Sequence, residues 1–193
     1  MKILFVNACV RKHSRTRLLA GQVLSRLGGT VTEVKPAEQT APIVSEQFID
    51  SRNRASEKGD FSGPVFTPAR RFAEADCIVI AAPYWDLSFP AVLKVYFEQI
   101  NVLGLTFEYT EDGFPRGLCR ARKLIYVTTA GGPILSDEYG YGYVKALARN
   151  FYGIPDVCQV KAEGLDVAGA DVQGILDRAL EGFLRDMADS SGC

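Results

Sequence analysis

The chain has 193 residues, is 47% hydrophobic and carries a formal net charge of −1, values typical of a folded domain. This charge argues against a protein that binds nucleic acid through bulk positive charge. No apolar run approaches the roughly 20 residues that cross a bilayer, and the apolar segment near the N-terminus is too short for a secretory leader. We therefore expect one cytoplasmic domain over residues 1–193, with no nucleic-acid or membrane partner.

Apolar strand-like runs alternate with helical patterns along the chain. The predicted strands are residues 2–6, 30–34, 77–82, 123–128 and 157–162. The predicted helices are residues 14–27, a segment near 45–55, and residues 67–75, 89–102, 143–151 and 171–187. Thr67 followed by Pro68 predicts an N-cap for the third of these helices. The alternation predicts an α/β three-layer sandwich of the flavodoxin-like type, with a five-stranded parallel sheet of order 2-1-3-4-5 and helices on both faces.

The segment after the first predicted strand is rich in cations and hydroxyls. It contains neither G-x-G-x-x-G nor G-x-x-x-x-G-K-[ST], so a dinucleotide fingerprint and a nucleoside-triphosphate loop are both absent. Ser14 and Thr16 instead stand at the start of a helix, where free N–H groups and a partial positive charge favour a phosphate. Around them lie the cationic residues and the one histidine, namely Arg11, Lys12, His13, Arg15 and Arg17. The alternative is that Ser14 only caps the helix and the cations form a solvated face.

An aromatic loop follows the third predicted strand. Pro83 ends that strand, and Tyr84, Trp85, Asp86 and Leu87 come next. Because ligands bind at the carboxyl ends of strands in an open parallel sheet, the two aromatics predict a wall for a flat ring. The alternatives are that they seal the core or a subunit contact, and that Asp86 caps the next helix.

A threonine- and glycine-rich loop follows the fourth predicted strand. Gly131 and Gly132 would allow a positive φ and the close approach of a ligand, although any tight turn would also use them. The three loops together describe a site for a mononucleotide with a large flat ring. FMN fits best, since no purine-selective residue and no carboxylate pair for Mg²⁺ follows a strand. The five scattered cysteines include no C-x-x-C pair, so no metal is expected.

The string AAPYWDLSFPAVLKVYFEQINVLGLTFEYTEDGFPRGL, followed by TTAGGP, resembles the FMN-dependent NADH-azoreductases and the related NAD(P)H:quinone oxidoreductases. The similarity extends from the first strand to GIPDVCQVKAEGLD. It implies that the FMN phosphate lies on Ser14, Arg15 and Thr16. It also implies that the flavin ring lies on two loops, made up of Pro83, Tyr84, Trp85, Asp86 and Leu87 and of Thr129, Ala130, Gly131 and Gly132. The chain departs from the family pattern at Ala8, Asp86 and Ala130.

The resemblance also implies an activity. Hydride would pass from NADH or NADPH to flavin N5 and then, in a ping-pong cycle, to a quinone, an azo compound or a nitroaromatic, with no catalytic side chain. Backbone N–H groups near Thr129, Gly131 and Gly132 would stabilise charge on the flavin. A homodimer is implied, in which Trp85, Phe107 and Tyr109 line the substrate pocket, unless the last two are interface packing. The rival functions are a flavodoxin-type electron carrier, for which a more acidic chain is expected, and an interaction protein that has lost the cofactor.

Overall fold

A five-stranded parallel sheet forms the middle layer of the protein. The structure is a computed structural model that describes residues 1–38 and 45–190. In chain order the strands are β1 (Lys2–Asn7), β2 (Thr30–Val34), β3 (Cys77–Ala81), β4 (Phe107–Tyr109), β5 (Pro115–Gly117), β6 (Lys123–Thr129) and β7 (Asp156–Ala162). The sheet has the order β2-β1-β3-β6-β7, and all its pairings are parallel. Strands β4 and β5 lie outside this sheet, so β6 and β7 are its fourth and fifth strands. The predicted fold class and the predicted strand order 2-1-3-4-5 are therefore confirmed.

Six helices were expected in the described residues, and all are present with their ends shifted by a few positions. They are α1 (Arg15–Leu27), α2 (Glu46–Glu57), α3 (Thr67–Glu74), α4 (Ala91–Ile100), α5 (Tyr143–Asn150) and α6 (Val172–Ser190). The predicted Thr67 cap is wrong. A 3₁₀ turn at Pro64–Phe66 runs directly into α3, so Phe66 is the N-cap residue and Thr67 is already helical. The Thr67 hydroxyl accepts a hydrogen bond from Arg70 instead.

The central strands β1, β3 and β6 are buried on both faces, as their continuous apolar runs predict. Alternate side chains of each strand enter different cores because successive Cβ atoms point to opposite faces. Leu4 and Ile78 belong to the core under α3, α4 and α5, whereas Ile3 and Val79 belong to the core under α1 and α6. Because the strands are parallel and in register, their carboxyl ends meet at one edge of the sheet.

The antiparallel hairpin of β4 and β5 is the one paired element that the sequence analysis missed. It follows α4 and packs through Phe107, whose ring centroid lies 5.0 Å from that of Phe151. Gly117 lies against the backbone of Tyr152 and Gly153, where a Cβ would collide.

None of the helices in residues 1–38 and 45–190 is both long enough and apolar enough to cross a membrane.

Candidate functional site

A cleft of about 300 Å³ lies at the carboxyl ends of β1, β3 and β6. Nine of the predicted cofactor-binding residues line it, namely Ser14, Arg15, Thr16, Pro83, Tyr84, Trp85, Thr129, Ala130 and Gly131. Asp86, Leu87 and Gly132 are neighbours of lining residues but do not line the cleft themselves. Val10, Arg11, His13, Leu165 and Asp166 complete the lining. The three loops that the sequence analysis singled out therefore surround one space.

Helix α1 begins at this cleft with Ser14 as its N-cap. The Ser14 Oγ accepts a hydrogen bond from the backbone N–H of Arg17 at 3.2 Å. The capping role that was considered as an alternative is therefore real. It does not exclude a binding role, because a single cap satisfies one donor and other N–H groups of the first turn have no acceptor within the helix. A phosphate placed there would meet those free donors.

A buried hydrogen bond joins α1 to the end of β6. The Oγ1 atoms of Thr16 and Thr129 are 2.7 Å apart, and both side chains are buried. On the other side of the cleft, the N–H of Tyr84 donates to the carbonyl of Thr129 at 3.0 Å. Thr129, at the end of β6, is thus hydrogen-bonded both to α1 and to the aromatic loop.

The aromatic loop is a tight turn over residues 85–88. Trp85 and Ser88 exchange backbone hydrogen bonds of 3.0 and 2.8 Å, while Asp86 (φ 50°) and Leu87 (φ 66°) occupy the left-handed region. Two central residues with positive φ are the signature of a type I′ turn. The guanidinium of Arg11 lies 5.8 Å from the centre of the Trp85 ring, within range of a cation–π interaction. The turn thereby presents Trp85 to the cleft.

Asp86 does not cap the following helix. The N-cap of α4 is Pro90, and no side chain accepts a hydrogen bond at that end. The alternative reading of Asp86 as a cap is therefore wrong.

Gly131 and Gly132 do not use the positive φ that glycine would allow, since neither lies among the residues with left-handed backbone. What Gly131 provides is room for the exposed Asp166 side chain, which would have to move aside for a larger residue. A Cβ at Gly131 would collide with the carboxylate of Asp166. The N–H groups of both glycines donate to no acceptor within the described ranges 1–38 and 45–190. They are free donors beside the cleft.

The sequence analysis missed Leu165 and Asp166. Both lie in the segment after β7, which is hydrogen-bonded to residues 130–131 through the N–H groups of Leu165 (3.2 Å) and Asp166 (2.8 Å). Arg15 Nη1 donates to the Asp166 carboxylate at 2.6 Å and to the Leu165 carbonyl at 3.0 Å. The rule that ligands bind at strand ends, applied to β7 as well, would have indicated this segment.

Cys9 and His13 show no sign of a catalytic role. Burial raises the pKa of the Cys9 thiol, and a hydrogen bond with Ser14 opposes the shift only in part. The thiol therefore stays protonated near neutral pH and is a poor nucleophile. His13 is exposed and makes no hydrogen bond or ion pair within the described residues. In residues 1–38 and 45–190, no cluster of His, Cys, Asp and Glu side chains could hold a metal ion.

Phe107 and Tyr109 do not line this cleft. Phe107 is buried beneath the hairpin, whereas Tyr109 is 55% exposed and meets Phe107 edge to face. The prediction that they line a substrate pocket concerns an assembly of two chains and stays a prediction.

Comparison with known protein families matches residues 1–186 to a model described as flavodoxin-like fold. A relative from Clostridium acetobutylicum, named FMN-dependent NADH:quinone oxidoreductase 2, is 47% identical over 118 residues, or 58% of each chain. A relative from Clostridium perfringens strain SM101, named FMN-dependent NADH:quinone oxidoreductase, is 30% identical over 93% of this chain and 94% of its own length.

Among solved structures, the azoreductase from Bacillus anthracis strain Sterne superposes with a TM-score of 0.79. It is 27% identical, and the match covers 94% of this chain and 95% of that one. The alignments with the first curated relatives span less than two thirds of those proteins, with shares of 58%, 60% and 53%.

Proposed function

Because the chain belongs to the flavodoxin-like family that includes the FMN-dependent NADH:quinone oxidoreductases, we propose that it is an FMN-dependent oxidoreductase. It takes hydride from NADH and delivers it to quinones, azo compounds or nitroaromatics. The observation that carries the proposal is the single cleft on which Ser14, Trp85 and Gly131 converge. A phosphate site, an aromatic wall and free N–H donors are what a phosphorylated flavin requires.

The residues of the cleft fit FMN. The first turn of α1, with Ser14 and Thr16, offers its N–H groups to the phosphate. Tyr84 lines the cleft, and its hydroxyl is a buried polar atom with no hydrogen-bond partner in the described residues. No lining side chain fills the space between Trp85 and Gly131 as a plug.

When bound, FMN supplies hydride acceptance and hydride delivery at its N5 atom. The chain provides binding and electrostatics. Trp85 and the turn that carries it shield one side of the cleft from water. The free N–H groups of Gly131, in the cleft lining, and of Gly132, next to it, would be the donors for negative charge that develops on a bound flavin, by the same logic as an oxyanion hole. We assign no catalytic side chain.

The shape of such a site indicates which compounds accept the hydride. A flat slot beside an aromatic ring recognises flatness more than identity, so quinones, azo dyes and nitroaromatics compete for one place. NADH is the proposed donor because the relatives' names specify NADH. Since donor and acceptor use one slot in turn, the cycle is ping-pong.

We also propose a homodimer in which the face around the β4–β5 hairpin is the contact. Four large apolar side chains are exposed there, namely Leu103, Tyr109, Phe114 and Leu118. A second chain on this face would cover them and would bring Tyr109 towards a shared substrate pocket. We propose as well that residues 1–193 form one domain and that the protein is cytoplasmic.

Anaerobic mixing of the FMN-loaded protein with NADH tests the proposed activity. The visible absorbance of oxidised flavin is expected to disappear and to return when a benzoquinone is added. Double-reciprocal plots at several quinone concentrations are expected to be parallel. Loaded protein that does not react with NADH would favour an electron carrier, and protein that binds no FMN would favour an interaction protein without a cofactor.

A pair of variants connects the activity to the cleft. Trp85→Leu removes the aromatic wall and is expected to weaken FMN binding about fivefold, since ring stacking is worth about 1 kcal/mol beyond its buried area. Phe48→Leu makes the same aromatic-to-leucine change on α2, outside the cleft, and is expected to leave FMN binding unchanged.

A further inference from the structure

Arg15 already has two protein acceptors inside the proposed phosphate site. Its Nη1 atom contacts Asp166 Oδ1 at 2.6 Å and the carbonyl of Leu165 at 3.0 Å. The contact crosses from the first turn of α1 to the segment after β7. Gly131 makes room for it, because any Cβ there would push against the Asp166 carboxylate. The pair therefore lies beside Gly131 in the wall of the cleft.

Among the described residues that line the cleft, Asp166 is the one carboxylate. The other cations near it, Arg11, Lys12 and Arg17, have no carboxylate oxygen within 4.0 Å in the described part of the chain. The single acid of the cleft thus neutralises the cation nearest to the start of α1. A phosphate dianion at that helix end would be attracted by Arg15 and repelled by Asp166.

We propose that Asp166 is an internal competitor of the ligand phosphate for Arg15. A phosphorylated ligand gains the full interaction with the guanidinium only when the Arg15–Asp166 contact opens, and this opening lowers its affinity. A ligand with the same ring system but no phosphate does not compete with Asp166 for Arg15, so it binds without opening the Arg15–Asp166 contact. Asp166 thereby sets how strongly the cleft prefers a phosphorylated flavin over an unphosphorylated one. This inference depends on the proposed function.

The size of the effect follows from exposure. The side chains of Arg15 and Asp166 are 43% and 70% exposed, so solvent screens the contact. Exposed ion pairs of this kind change an equilibrium by about two- to fivefold. The effect should also shrink as ionic strength rises.

The experiment is a fluorescence titration of the apoprotein with FMN and, separately, with riboflavin, which lacks the phosphate. Asp166→Asn keeps the shape of the side chain and removes its charge. It is expected to tighten FMN binding by about two- to fivefold at low salt, with less gain at high salt, and to leave riboflavin binding unchanged. Asp166→Ser provides a second neutral variant with the same expectation.

The matched control is Asp156→Asn. Asp156 pairs with Lys123 at 2.9 Å and is 52% exposed, but it lies at the start of β7, at the other end of the sheet. Its neutralisation is expected to change neither titration. Thermal denaturation of each variant without ligand checks that it is folded.

FMN affinity that is equal or weaker in both neutral Asp166 variants would overturn the inference, and a weaker affinity would mean that the carboxylate contacts the ligand directly. A parallel gain in riboflavin affinity would also overturn it. Failure of the wild-type protein to bind FMN at all would instead refute the proposed function, and with it this inference.

Discussion

Leu87 holds a backbone conformation that bulky residues rarely adopt. Its φ of 66° lies in the left-handed region, in a turn whose other central residue, Asp86, has a φ of 50°. An aspartate tolerates this region because its short polar side chain can bond locally, but a leucine does not. Strain of this kind persists where the surrounding structure holds it, and here the turn carries Trp85 to the cleft.

Replacing Leu87 by asparagine should therefore stabilise the protein. Asparagine is enriched in the left-handed region, so Leu87→Asn is expected to raise the free energy of unfolding by about 0.5–1 kcal/mol. Chemical denaturation measures the change. Leu135→Asn is the control, because Leu135 is also exposed but has a negative φ. A loss of stability in Leu87→Asn alone would contradict this account of the turn.

The hydrogen bond between Thr16 and Thr129 supports both the fold and the site. Thr129→Val leaves the Thr16 hydroxyl buried without a partner, and we expect a loss of about 1–2 kcal/mol in the free energy of unfolding together with weaker FMN binding. Thr106→Val also removes a buried hydroxyl, which donates to the Ile100 carbonyl at 2.7 Å under the hairpin. It should lose similar stability and keep its FMN affinity. Equal FMN affinities in the two variants would show that Thr129 does not contribute to FMN binding.

At the scale of elements, Asp76, directly before β3, connects the start of β1 to the segment before β6 at the end of the sheet opposite the cleft. Its carboxylate accepts from the backbone N–H of Lys2 at 2.7 Å and pairs with Arg120 at 2.9 Å. These interactions, the Lys2 hydrogen bond first, lower the pKa of Asp76. The carboxylate therefore favours the folded state only while it is ionised.

This shift has a defined consequence for pH dependence. A carboxyl group whose pKa is lowered on folding contributes stability above its unfolded pKa of about 3.9, and the contribution is lost as pH falls through the folded value. Urea unfolding between pH 6 and pH 2.5 should show a steeper loss below about pH 4 in the wild type than in Asp76→Asn. Asp50→Asn, which neutralises an exposed carboxylate on α2, should follow the wild-type curve. Superimposable curves for all three proteins would exclude a role for Asp76.

The elements that could be predicted from the sequence are those with a local signal. The apolar runs of β1, β3 and β6 end at clear breaks, and α1 begins at a serine that caps it. The hairpin had no such signal, because β4 and β5 have three residues each and β5 begins with a proline. Its position depends on Gly117 fitting against the backbone of Tyr152, a contact distant in sequence.

The site could be predicted to the same extent. The strand ends predict that Ser14, Trp85 and Gly132 meet at one cleft, since that step needs only topology. Ser14 and Trp85 do line it, but the glycine of the lining is Gly131. The close contact at Gly131 could not be predicted, because it is with the Asp166 carboxylate, thirty-five positions later in the sequence. The family resemblance implies that Leu87 contacts the flavin ring, but Leu87 is 45% exposed and does not line the cleft.

At the scale of the whole molecule, the exposed apolar face of the hairpin predicts self-association. Phe114 is 71% exposed, which is unusual for a large aromatic on an isolated chain. Phe114→Arg should convert a dimer into a monomer in sedimentation velocity, because burying an unpaired charge at the contact is costly. Val31→Arg places the same charge on the exposed edge strand β2 and should leave the dimer intact. A monomeric wild type would contradict the proposed assembly.

The central claim is that one cleft, between the start of α1, the Trp85 turn and Gly131, holds FMN. A crystal structure of the protein with FMN tests this claim most directly. We predict the phosphate within hydrogen-bonding distance of the first turn of α1 and the flavin ring between Trp85 and the Gly131 segment. FMN bound on another face, or a cleft that stays closed by the chain's own side chains at saturating FMN, would contradict the account.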